Sequence, residues 1–102
     1  MEGSDLTART FLVEHYWPGV TPEAFRSAAE RVRASTEELA LGSDRISFLH
    51  STLVPEDEAA FCVFTASSPD VVVEAYSRAG VQFDRILDAL ELEHAENRRG
   101  AA

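Results

Sequence analysis

The chain has 102 residues, with nine basic against eighteen acidic side chains and a formal net charge of -9. That length makes one domain around a single modest core, and the acidic balance argues against a nucleic-acid backbone or an anionic membrane as partner. One cysteine, Cys62, excludes an intrachain disulfide and suits a reducing compartment.

Residues 1–9 read as a flexible polar leader with no apolar signal core, and no apolar run approaches the roughly 20 residues of a membrane helix. The expectation is a cytoplasmic protein. Thr10 to Tyr16 alternate as a first strand, with Phe11, Val13 and His15 on one face and Leu12, Glu14 and Tyr16 on the other. Trp17-Pro18-Gly19 ends it. Thr21-Pro22-Glu23 then opens a helix to about Leu41: a hydroxyl to cap, a proline where no donor is needed, and an acid where the helix dipole favours one. Phe25, Ala28, Ala29, Val32 and Leu39 form its apolar stripe, Glu30, Arg31, Arg33, Glu37 and Glu38 its solvated side, and Gly42 its stop.

Ile46 to Val54 and Ala59 to Ala66 read as two strands of an antiparallel hairpin, joined through Pro55-Glu56-Asp57-Glu58. Ser68-Pro69-Asp70 repeats the helix-start signal, and the second helix runs to Ala79, packing through Val72, Ala75, Tyr76 and Ala79 before Gly80. A last strand covers Asp84 to Leu92, and residues 93–102, including His94, read as a fraying polar tail.

The order βαββαβ over residues 10–92 is the α+β ferredoxin-like arrangement, a four-stranded antiparallel sheet with both helices on one face. The other face is left bare. If Phe11 and Val13 meet the helices, that face carries Leu12, Glu14 and Tyr16, and the hairpin adds either Phe48 and His50 or Ser47, Leu49 and Ser51. A sheet apolar on both faces needs cover, and a homodimer stacked through the open faces supplies it.

Four residues could carry chemistry. His15, at the end of the first strand, is a metal ligand, a proton-exchanging group or a partly exposed bystander. His50 lies mid-strand within Ile46-Ser47-Phe48-Leu49-His50, where a buried imidazole must find a partner. Glu14 points into the open face, beside His50 as ligand or base, or at a dimer rim. Cys62 is a small core hydrophobe or a soft metal ligand. The sequence has no HExxH, CxxC, glycine-rich phosphate loop or nucleophile elbow, so a metal site must be assembled across strands or across a dimer.

Phe11-Leu12-Val13-Glu14-His15-Tyr16-Trp17-Pro18-Gly19, Phe48-Leu49-His50-Ser51, Phe61-Cys62-Val63-Phe64 and Arg78-Ala79-Gly80 together resemble the small actinobacterial nickel-binding proteins first catalogued as a domain of unknown function. The resemblance spans the core and implies a ferredoxin-like fold, dimers formed by sheet stacking, and nickel held by histidine and acidic side chains. His50-Ser51 and Cys62 match the family pattern. Ala75 stands where many members carry a histidine, which leaves fewer imidazoles for the metal.

Three functions therefore compete. A metal-binding dimer would use Glu14 and His50, with His15 or Cys62, to hold nickel. A cofactor-free oxygenase, cyclase or isomerase of the dimeric α/β-barrel kind would enclose an apolar or aromatic substrate among Phe48, Phe64, Tyr16 and Trp17, with His50 or His15 as base and Glu14 orienting it. A purely structural dimer would use none of them.

Overall fold

The computed structural model describes residues 8–92, so the leader and tail boundaries expected at residues 1–9 and 93–102 fall largely outside it, as does His94. Its elements are β1 (Arg9–Tyr16), α1 (Pro22–Leu41), β2 (Ile46–Val54), β3 (Ala59–Ala66), α2 (Pro69–Ala79) and β4 (Arg85–Ala89). The strands form one sheet in the order β2-β3-β1-β4, every neighbouring pair antiparallel. This is the ferredoxin-like arrangement the element order implies. Among the described residues no helix is long and apolar enough to cross a membrane.

Alternation along the central strands builds the core. From β1 come Phe11, Val13 and His15, from β3 come Ala60, Cys62, Phe64 and Ala66, and onto them pack Phe25, Ala28, Val32 and Leu39 of α1 with Val72, Ala75 and Tyr76 of α2. Phe11, Val13, Phe64, Val72 and Tyr76 are closed off from solvent. Burial of side chains of this size contributes about 1.5–3 kcal/mol each.

The two helix starts differ. Thr21 caps α1 as its sequence implies, its Oγ1 accepting from the Ala24 N–H at 3.1 Å. Ser68 occupies the cap position of α2, but its side chain makes no capping bond; its carbonyl accepts from the Val71 N–H at 3.3 Å. At the other ends, Gly80 takes the left-handed conformation with φ 69°, whereas after α1 it is Ser43, with φ 89°, and not Gly42 that turns the chain. The final strand stops at Ala89 rather than Leu92, because β1, its only neighbour among the described residues, begins at Arg9 and pairs no further than Thr10 with Ala89. Leu90 and Leu92 are exposed beyond it.

The hairpin contains the main departure from regular alternation. Phe48 pairs with Phe64 but His50 pairs with Val63, so Leu49 is an extra residue and β2 carries a β-bulge. Directly opposed residues share a face. Phe48 therefore points toward the helices beside Phe64, while His50, two positions later, points the other way with Val63. The alternative between Phe48 with His50 and Ser47 with Leu49 resolves into neither, since the bulge divides each pair's simple alternation.

Candidate functional site

The open face is laid out in rows by the register. One row runs His50, Val63, Leu12, Leu87 across the four strands, and the next runs Thr52, Phe61, Glu14, Arg85. Leu12, Phe61 and Leu87 are half-buried, Val63 is covered by its neighbours, and Leu49 is 45% exposed. The centre of this face is apolar and one imidazole stands at its edge. His50 is exposed rather than buried, which corrects the expectation of a mid-strand histidine in need of an internal partner: the bulge turns it outward, away from the helices.

Glu14 also lies on the open face, but not beside His50. β3 separates their strands and they occupy successive rows, which puts their backbones about 12 Å apart from strand spacing and rise. Glu14 is instead paired with Arg85, whose Nε donates to Oε1 at 2.7 Å and whose Nη2 reaches Oε2 at 3.5 Å. Oε2 is the less engaged oxygen. Among the described residues no three of His, Cys, Asp and Glu cluster as a metal site.

His15 belongs to the opposite side. Following Phe11 and Val13 in the β1 alternation, it lies under α2 and next to Phe25, and is 6% exposed, not the partly exposed strand-end residue its position implies. Its Nδ1 is 3.0 Å from the Ala60 carbonyl and its Nε2 2.9 Å from the Tyr76 hydroxyl. A carbonyl can only accept, so Nδ1 carries the proton and Nε2 accepts from the Tyr76 O–H. Both ring nitrogens are used. Burial pushes the His15 pKa below its ordinary value, against the opposing pull of the Ala60 bond and of the Asp84 charge. The imidazole is neutral near pH 7.

Cys62 lies on the same inner face against the Tyr76 hydroxyl, and burial pushes its thiol up to about 11. Burial also raises the Tyr76 phenol, reinforced by the neighbouring thiol. His15, Tyr76 and Cys62 thus make a neutral polar cluster inside the core, apart from the face that carries Glu14 and His50. In the sequence Tyr76 reads only as a packing residue, although a tyrosine on a packing face requires a partner for its hydroxyl; in the fold that partner is the buried His15.

An enclosed pocket among Phe48, Phe64, Tyr16 and Trp17 is not formed. Phe48 and Phe64 pack edge to face at 4.7 Å, Tyr16 is exposed on the other face, and the cavity beside Trp17 between the helices and the sheet, lined also by His15, Phe25 and Tyr76, is about 10 Å³, the limit for one water. A larger cleft of about 330 Å³ opens elsewhere, at the end of the sheet. Its walls are Tyr16, Trp17 and Pro18 after β1, Ala28 and Arg31 of α1, and residues 80–84, with His15 at its inner end. Asp84 closes one side, its carboxylate accepting from the Tyr16 N–H while its own N–H donates to the Glu14 carbonyl at 2.8 Å.

Sheet order, helix placement and an apolar face left uncovered by the described residues define a ferredoxin-like α+β protein with two separate polar regions, one on the open face and one at the cleft. The chain belongs to the family described as nickel responsive protein SCO4226-like, whose model matches residues 11–88. A crystal structure of SCO4226 from Streptomyces coelicolor A3(2) superposes with a TM-score of 0.70 at 19% identity, covering 82% of this chain and 99% of that one, which establishes the shared fold. No curated protein matches.

Proposed function

We propose that this chain is a nickel-binding protein that works as a homodimer stacked through the open sheet faces, with His50 and Glu14 of each copy as metal donors. The observation that carries the reading is an exposed imidazole beside an apolar, uncovered sheet face, in a chain whose family is described as nickel responsive. The apolar row of Val63, Leu12 and Leu87 supplies a reason for two copies to associate. Imidazole nitrogen and carboxylate oxygen suit divalent nickel.

Among the described residues, the open-face rows of one copy offer one imidazole and one carboxylate, on different rows. Two copies offer two of each, and it is this doubling that makes a coordination sphere reachable. Glu14 would bind through Oε2, or be released by Arg85 as the metal replaces the guanidinium. Bound nickel would supply a fixed positive charge between the copies. His15 has no free ring nitrogen, and Cys62 is held as a buried thiol where a metal needs the thiolate, so both are assigned to the core. The same reading places the protein in the cytoplasm of an actinobacterium, with no nucleic-acid partner.

Titration calorimetry of nickel into chelator-stripped protein, beside His50→Ala and Glu14→Gln, tests this. Micromolar or tighter binding that both variants weaken supports the assignment. Binding that survives both substitutions, or no heat in any of the three proteins, overturns it. Zinc and copper are run in parallel because site affinity alone does not select nickel over copper.

A further inference from the structure

Arg31 and Asp84 both line the cleft at the end of the sheet, and neither has a charged partner among the described residues. Arg9, Arg33, Arg78 and Arg85 each pair with a carboxylate; Arg31 instead leans on the Ala79 carbonyl at 3.4 Å and the Ser27 hydroxyl at 3.2 Å. That leaves its Nη2 uncommitted. Asp84 accepts from a backbone N–H, and its charge is felt by His15 at the inner end of the cleft. The two opposite charges share one concavity without forming an ion pair with each other. Between them the wall is apolar, built from Trp17, Pro18, Val81 and Phe83.

We propose that this cleft binds a free α-amino acid with an apolar side chain. The carboxylate pairs with the Arg31 guanidinium, the ammonium with Asp84, and the side chain lies against Trp17 and Phe83. A zwitterion satisfies both orphaned charges at once, which a simple acid or amine does not. It also adds no net charge to a protein at -9. The volume of about 330 Å³ is at the small end of ligand sites, which run from about 300 to 1,000 Å³, and so fits one small molecule. His15 contributes shape and not a proton, since its nitrogens are committed to Ala60 and Tyr76. The site is independent of the nickel reading because neither His50 nor Glu14 lines it.

The probes are L-phenylalanine and L-leucine, followed by amide chemical shifts in the full-length protein. Two analogues accompany them: 3-phenylpropionate, which lacks the ammonium, and 2-phenylethylamine, which lacks the carboxylate. Saturable binding of at least one amino acid below about 1 mM is expected, with shifts confined to residues 15–18, 28–31 and 80–84. Arg31→Gln and Asp84→Asn each weaken it about tenfold or more, as does each analogue, the loss expected for one charge-assisted contact. Asparagine retains an acceptor for the Tyr16 N–H, so the loop keeps its anchor. No saturation by about 10 mM, equal binding of 3-phenylpropionate, or affinity unchanged in both variants overturns the proposal.

Discussion

Replacing Tyr76 with phenylalanine isolates one hydroxyl. The ring contacts persist, at 5.8 Å to Phe64 and 5.1 Å to Phe83, and no cavity larger than one oxygen is made. What is lost is the donor at 2.9 Å from His15 Nε2, in a site where His15 is 6% exposed and Nε2 has no other hydrogen-bond partner among the described residues. A buried acceptor without a partner costs about 1–3 kcal/mol, so we expect about 2 kcal/mol of destabilisation. For a domain of this size that corresponds to a Tm about 10 °C lower. Urea unfolding gives the free energy directly. Combined with His15→Leu, the double variant should be less destabilised than the sum of the singles by about 1 kcal/mol, since removing both partners leaves no orphan. A Tyr76→Phe protein within about 0.5 kcal/mol of the parent, or strict additivity in the double variant, would refute the assignment of the hydrogen bond.

Four further outcomes follow from the same structure. Because the folded state binds a proton at His15 less readily than the unfolded chain, stability is complete above the ordinary value of 6.5 and declines as pH falls through it; His15→Gln should flatten that decline in urea midpoints measured across pH. Deleting Leu49 leaves Phe48 opposite Phe64 and His50 opposite Val63, so the shortened protein should fold with a loss below about 2 kcal/mol. Deleting Ser51 also closes the bulge but turns His50 inward opposite Cys62, and should cost about 2 kcal/mol or more, read by the same unfolding assay. Ser43→Gly relieves a residue held at φ 89° and should raise stability by about 1 kcal/mol, whereas a lower Tm would count against strain there.

The fold was legible because its signals are local and repeated. Two hydroxyl-Pro-acid helix starts, the Gly80 stop and the alternation of Phe11, Val13 and His15 against Leu12, Glu14 and Tyr16 each depend on neighbours in the chain. The bulge was not legible, since Ile46 to Val54 contains no glycine or proline to mark it; Leu49 is extra only because β3 has one residue fewer to offer. That single non-local fact decides the exposure of His50. Glu14 was placed on the correct face, but its pairing with Arg85 depends on which strand lies beside β1. Arg31 read as one more solvated charge because helical periodicity cannot reveal that the 80–84 loop folds back to make a cleft beside it.

The extra residue in β2 also governs how copies can meet. β2 is an edge strand of nine residues, long enough to recruit a second sheet through its unpaired backbone groups. An outward kink at Leu49 interrupts the straight run of donors and acceptors that such recruitment needs. The opposite edge, β4, is only five residues and carries Arg85 and Asp88, both tied to side chains of β1. With both borders blunted, open-ended growth into a continuous fibre of sheets is discouraged, and the proposed association is left to the broad face, where a pair of chains would close on itself and stop.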